Sequence, residues 1–445
     1  MNKMSSKKKH MHSHMRIQWH SYIKSDDNIK ASQAELSEKS SLVGRIGIML
    51  LSCGAPAWRV RQFMTKTSRA LGISCVADIG IISLSYTCMD KHDTYSQSIS
   101  LEGINVNTYK LGRIENYANK LNNFDDRSIR EIHEQLDELE TGNAIHHSMI
   151  SVLAAAVACA SFAFLLGAGL PEIICVFIAA GAGQYVRKVI NEGKLSLFIG
   201  ISLSAAAACA VYALTILLGK LIFKIPAIYG AGYICSTLFL VPGFPFITSV
   251  LDFAKLDMRS GMERLSYSCI VMLVATAFAW VCGRIFGFEP EGLAGLNMPA
   301  AALLAARLAA SFMAVFGFSM MFNSTYKMAL AAALVGMVPN VLRLELIEHA
   351  GISSPTAAFI AALIAGLLTT AAVKITHVPR ISIAIPSVLA AVPGFIMYEA
   401  INDFGTNNTA AGLHAMVKAG AIIFALGLGI LTARFISDEQ FRHKD

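Results

Sequence analysis

Two stretches of this chain carry the same residues in the same spacing. Residues 241–261 read VPGFPFITSVLDFAKLDMRSG, and residues 392–412 read VPGFIMYEAINDFGTNNTAAG. Aligned without gaps at an offset of 151 (392 minus 241), seven of 21 positions agree: Val241/Val392, Pro242/Pro393, Gly243/Gly394, Phe244/Phe395, Asp252/Asp403, Phe253/Phe404 and Gly261/Gly412. A Pro–Gly pair inside an apolar segment has a definite physical effect. Proline removes a helical hydrogen bond and clashes with the preceding turn, and glycine lets the backbone leave helical geometry. The freed amides and carbonyls are tolerated in a bilayer only where protein buries them or where they line a polar cavity. Paired helix ends of this kind can bind a zwitterionic or anionic solute. A packing kink is the competing reading, and the duplication favours a site.

Ionisable residues inside apolar segments are costly, which makes them candidates for function. Glu399 lies five residues after Gly394, and Arg307 lies near the middle of another apolar run. Either suits a charged group of a solute, and Glu399 suits a coupling proton; mutual pairing is the plainer alternative. Asp252 and Asp403 fall at segment ends, where they cap or anchor the broken helices. Gln184, Asn323 and Asn340 offer further hydrogen bonds.

Other chemistries lack their residues. No GxxxxGK[ST] loop and no HExxH helix occurs, and the nine cysteines form no CxxC pair. This argues against an ATP-driven motor, a zinc site and a disulfide framework. His10, His12 and His14 sit in a polar tail that fixes no ligand geometry, so neither a metal nor a cofactor is expected. No basic patch is interleaved with aromatics, which argues against nucleic acid as a partner. Neither membrane aspartate has the Gly-x-Gly-Asp setting of an intramembrane protease, so the chain reads as a non-enzyme.

The elements that must position these residues follow from composition. Hydrophobic residues make up 55% of the chain and charged ones 15%, against about 25% charged in ordinary soluble domains. The charge is concentrated before residue 141. Residues 1–40 read as a disordered polar tail and 41–147 as a small α/β domain, with strands at 75–85 and 103–109 and helices at 56–69, 113–122 and 126–140. The apolar run at 42–52 is interrupted by Arg45 and is too short for a span of about 20 residues. Ten spans follow: 148–169, 171–188, 195–218, 226–250, 265–287, 297–322, 325–342, 355–373, 379–402 and 413–434. They group as a first repeat over 148–290 and a second over 291–436, with a tail at 437–445. With both termini inside, inner loops and tail carry twelve Lys and Arg against five outside, so the cytoplasm is the expected side of both termini of a multi-pass cell-membrane protein.

The duplicated motif falls in the fourth and the ninth span. Five spans per half make the copies cross in opposite directions, the inverted-repeat architecture of many secondary transporters. The expected fold is an α-helical polytopic membrane protein of two inverted five-helix repeats with a small N-terminal α/β domain. Its expected partners are the lipid bilayer and a small-molecule solute, and self-association is left open.

The chain also resembles the threonine/serine exporter family in its fused form, an N-terminal cytoplasmic domain joined to ten spans. In LLSCGAPAWRVRQFMTKTSRALGI, Gly54, Ala55, Arg59, Val60, Ala70, Leu71 and Gly72 match the family pattern, while Arg61 replaces its usual glutamate. Pro242, Gly243, Asp252, Gly261 and Arg264 resemble the family's PG…D…G…R pattern, and Pro393 and Gly394 its second copy. The resemblance implies export of threonine and serine driven by the proton motive force. Split relatives are linked to dicarboxylate export, which keeps solutes such as succinate as an alternative. A channel, or a scaffold with a sensing N-domain, is the alternative from another class. The N-domain is open to gating, solute binding or structural support.

Overall fold

The computed structural model of the chain describes residues 17–24, 28–120, 127–141, 145–193, 195–223, 232–288 and 298–442. They belong to two compact units, Met1–Ala144 with Asp252–Glu263, and Ile145–Leu251 with Arg264–Lys444. The histidines at 10, 12 and 14 lie outside the described residues.

In the first unit, α1 (Leu36–Ser52) and α2 (Ala57–Ala70) precede an antiparallel meander of β1 (Ser74–Ile79), β2 (Ser83–Met89) and β3 (Thr94–Ser100), followed by α3 (Thr108–Lys120) and α4 (Ile129–Thr141). The register pairs Ser74 with Met89 and Ser83 with Ser100. Two strand expectations need correction. The stretch 75–85 holds most of β1, the hairpin turn and the start of β2, and the third strand is Thr94–Ser100 rather than 103–109. That strand reads TYSQSIS, with Ile99 its one buried side chain, so no apolar run betrays it. The expected tail is also ordered earlier than its polarity suggests. Trp19 is buried against the His133 ring, and a reciprocal cap between Glu35 and Glu38 starts α1.

Arg45 explains why α1 is a core helix. Its guanidinium is fully buried, ion-paired to Asp137 and Glu140 and hydrogen-bonded to His133 Nδ1 at 3.0 Å. Burial, and then the Arg45 charge, push the His133 imidazole down to about 3. Gly54 and Gly72 hold φ of 88° and 72°, a backbone region that side chains disfavour, which is a physical reason for glycine at both positions. Arg59 grips buried Glu115 with Nε and Nη2, at 2.8 and 2.9 Å. Arg61 forms an ion pair with Asp257 in the same unit, so the positive charge at 61 has a local carboxylate.

The remaining helices are α5 (Ser148–Leu165), α6 (Leu170–Glu192), α7 (Leu197–Phe223), α8 (Gly232–Ser236), α9 (Gly243–Ala254), α10 (Met258–Phe286), α11 (Ala300–Met321), α12 (Tyr326–Glu348), α13 (Ser354–Thr376), α14 (Ile381–Val388), α15 (Gly394–Gly405) and α16 (Thr409–Ser437). Among the described residues, eight helices are long and apolar enough to cross a membrane, and the segments containing α8/α9 and α14/α15 are bent by 57° and 45°, giving up to ten crossings. Leu153, Ile174, Leu203, Leu214, Leu273 and Leu330 are exposed along these helices, as lipid-facing positions must be.

The duplication is structural as well as sequential. α9 and α15 begin and end 151 residues apart (394 minus 243, 405 minus 254), and so do α10 and α16 (409 minus 258, 437 minus 286). α6 and α12 begin and end 156 apart (326 minus 170, 348 minus 192). α5 packs on α11, and each packs on the helix that follows it.

Candidate functional site at two facing helix breaks

Each break is an inverse γ-turn centred on its proline. Gly243 N donates to Val241 O at 2.8 Å, and Gly394 N donates to Val392 O at 2.9 Å. Pro393 has φ −82° and ψ 50°, close to the ideal for this turn. A continuous helix would have joined each glycine amide to the carbonyl four residues back. Phe239 and Ala390 therefore lose that acceptor role.

The two breaks face each other reciprocally. A Cβ on Gly243 would lie 2.5 Å from Leu389 and 3.4 Å from Val392. A Cβ on Gly394 would lie 2.9 Å from Leu238 and 2.9 Å from Val241. These partners are themselves repeat equivalents, 238 with 389 and 241 with 392. The same holds beyond the breaks, where a Cβ on Gly261 would press on Phe253 and one on Gly412 on Phe404. Leu256 and Asn407, again 151 apart, share a positive φ of 64° and 62°.

The structure distributes the expected site residues unevenly. Pro242, Gly243, Pro393 and Gly394 come together. Asp252 is buried and accepts from Ser260 Oγ at 3.0 Å, holding the turn after α9. Its equivalent Asp403 is only partly buried, and its backbone carbonyl accepts from Asn408 N at 2.8 Å. Arg264 is buried, with Nη1 3.5 Å from Thr248 Oγ1. Glu399 is half-buried on α15. Arg307 pairs with Glu345 at 2.7 Å and Glu348 at 2.6 Å on α12, so its charge is already answered there rather than by Glu399.

Three features escaped the sequence reading. Glu172, in the first turn of α6, is 1% exposed, and its carboxyl group is enclosed by neutral neighbours, Tyr212 and Gly232 among them. Its side chain and the Tyr212 hydroxyl both press on Gly232 at the start of α8, each within 2.7 Å of a Cβ placed there. Second, the hydroxyls of Tyr233 on α8 and Tyr398 on α15 are hydrogen-bonded, linking the two broken helices directly. Phe288 stacks on Tyr233 with ring centres 5.5 Å apart. Third, Arg187 on α6 donates to the Phe239 carbonyl at 3.3 Å, the acceptor released by the first break. An acid beside Pro171 reads as an ordinary helix-start residue, and an arginine near a span end reads as a loop charge. Only packing distinguishes them.

Comparison with known proteins agrees with this architecture. A family model described as "Putative threonine/serine exporter" matches residues 41–286, and one described as "Threonine/Serine exporter, ThrE" matches residues 307–436. The "Probable succinate transporter subunit YjjP" of Klebsiella aerogenes is 22% identical over 275 residues, covering 60% of this chain and 99% of that protein. The protein of that description from Escherichia coli strain K12 is 23% identical over 246 residues, 55% of this chain and 93% of its own length. No solved structure matches. The first model alone spans more than half of the chain, and the two together cover both Pro–Gly breaks: the chain belongs to the threonine/serine exporter family.

Proposed function

We propose that this chain is a secondary active transporter that exports threonine and serine from the cytoplasm, driven by the proton motive force. The observation that carries this reading is the reciprocal seating of the two breaks. Two inverted half-sites that share one contact surface suit alternating access, in which one repeat rocks against the other around a fixed solute position. The Tyr233–Tyr398 bond links the moving parts on one side of that contact. In this reading both termini are cytoplasmic, and the solute meets backbone groups released at Pro242/Gly243 and Pro393/Gly394.

Glu172 is the best candidate to carry the coupling proton. A carboxyl buried among neutral groups is costly to ionise and gains from water or a cation reaching it, which is what a proton carrier in a membrane needs. Glu399 is the second candidate. A specific observation favours a second solute class: the matched relatives are described as succinate transporter subunits. Export of dicarboxylates would keep the fold and mechanism.

The deciding experiment is counterflow of labelled threonine into proteoliposomes loaded with serine, succinate or nothing. Stimulation by internal serine supports the amino-acid reading. Stimulation by succinate alone moves the solute to dicarboxylates. Flux without exchange indicates a channel, and no flux with any of these solutes removes the transporter reading for them.

A further inference from the structure

Resting on the transporter reading, we propose that Arg187 and Arg343 form a pair of carboxylate-recognition sites, one in each repeat, that hold the carboxylate of a small solute on either side of the helix breaks.

The two arginines are repeat equivalents. Each lies 17 residues into its helix, α6 or α12, and each follows an amide side chain by three residues, Gln184 before Arg187 and Asn340 before Arg343. The amides are also held alike. Gln184 Nε2 donates to Ser151 on α5 at 3.2 Å, and Asn340 Nδ2 donates to Ser311 on α11 at 2.9 Å. Serine, amide and guanidinium thus recur in both halves. The match lies in residues that the gapless motif alignment does not reach, because the offset here is 156 (343 minus 187, 340 minus 184) rather than 151.

Neither guanidinium has a carboxylate within ion-pair distance among the described residues. Arg187 donates to the Phe239 carbonyl, and Arg343 donates to Asn340 Oδ1 at 3.3 and 3.2 Å. Both partners are neutral. A guanidinium carries five donors in a planar fork that matches a carboxylate, and a charged acceptor forms bonds about twice as strong as a neutral one. An incoming carboxylate therefore displaces the carbonyl from Arg187 and the amide oxygen from Arg343. Arg307 shows the alternative fate of an arginine here, since it is already saturated by Glu345 and Glu348.

The first displacement has a mechanical consequence. Phe239 is four residues before Gly243, so its carbonyl is the one that the break released. Arg187 leaving Phe239 for a solute loosens the hold of α6 on the broken segment at the moment of loading. In inverted repeats α6 and α12 run in opposite directions, so equal positions along them lie toward opposite faces. Arg187 then serves the cytoplasmic approach and Arg343 the outer one.

The test uses the full chain, purified and reconstituted, with Arg187→Gln, Arg343→Gln and the corresponding lysine variants. Labelled threonine and labelled succinate are each assayed from both faces. The expected result is a rise of about tenfold in the half-saturating concentration on one face for Arg187→Gln and on the opposite face for Arg343→Gln, the scale of one charge-assisted bond. The lysine variants should recover part of each loss. Unchanged half-saturation in both glutamine variants, with wild-type transport intact, overturns the carboxylate assignment and leaves the transporter reading standing. If the wild type carries neither solute, the transport reading fails for both, and the thermal shift of the detergent-purified chain decides the inference. Stabilisation by threonine or succinate but not by threoninamide, lost in the double glutamine variant, supports it. Equal shifts with threonine and threoninamide, or no shift with threonine or succinate, overturn it.

Discussion

Gly243 lies so close to Leu389 that a single added methyl group would sit 2.5 Å from the leucine side chain, and Gly394 stands in the same relation to Leu238. Overpacking at such a contact costs about 1–3 kcal/mol, here at the surface on which the repeats must move. Gly243→Leu and Gly394→Leu should each insert normally and lower transport at least about tenfold. Pairing Gly243→Ala with Leu389→Ala should return much of the activity lost in Gly243→Ala alone. Wild-type transport in both leucine variants would remove the break from the mechanism.

Glu172→Gln fixes the side chain in its neutral shape. Solute exchange at equal pH on both faces should persist, while accumulation driven by a pH gradient should fall to background. Glu399→Gln is the control, and gradient-driven accumulation lost in that variant alone would transfer the coupling role to Glu399.

Tyr398→Phe deletes the hydroxyl that joins α15 to α8 while preserving ring volume. Without that link the two broken helices should separate more readily. Buried Cys235, on α8 two residues after Tyr233, should then react several-fold faster with a membrane-permeant maleimide. Tyr233→Phe should reproduce the effect, and the double variant should add little, because both remove the same bond.

Arg45→Met strands Glu140, a buried carboxylate, without its cation. Breaking a buried pair from one side costs about 3–5 kcal/mol. The variant should show early proteolysis within residues 28–141. Arg45→Met combined with Glu140→Gln should recover part of the stability.

The His133 imidazole is held neutral, pushed down to about 3 from the 6.5 of a free histidine. The unfolded chain therefore binds one more proton than the folded one between those two values. Its contribution is complete above about pH 6.5 and is lost as pH falls toward 3, with a slope of about 1.4 kcal/mol per pH unit. His133→Gln should flatten acid unfolding of the N-terminal domain in that window and leave the profile above pH 7 unchanged.

Hydropathy located the spans, with the largest offset at the start of α10 (expected at 265, found at Met258), because lipid-facing and core-facing positions are both apolar while polar helix ends such as Arg259 and Glu263 read as loop. The Pro–Gly breaks were legible because their chemistry is local and is written twice. Arg307 was legible as an intramembrane charge but not as a paired one, since Glu345 and Glu348 lie on the next helix. Glu172 was invisible for the complementary reason. Its burial depends on where Tyr212 and Gly232 pack, which no periodicity records. Arg187 and Arg343 stand near span ends, where an arginine reads as a topology signal, and their equivalence follows the helix ends rather than identical letters. The third strand is hard to read because its outward face is threonine and serine, hydrogen-bonded across to β2 through Ser98 and Ser85 and through Ser96 and Thr87, while glutamine shares the inner face with Ile99.

The glycine contacts join residues matched by one family model to residues matched by the other. Each repeat is thus half of the other's binding partner, and neither presents a finished surface alone. Carrying both on one polypeptide turns their meeting into an intramolecular event, which strengthens it without any new contact. It also guarantees equal numbers of the two halves. A chain severed between residues 288 and 298 should still assemble when the fragments are made together. Its activity should then depend on protein concentration, a dependence that the continuous chain has been spared.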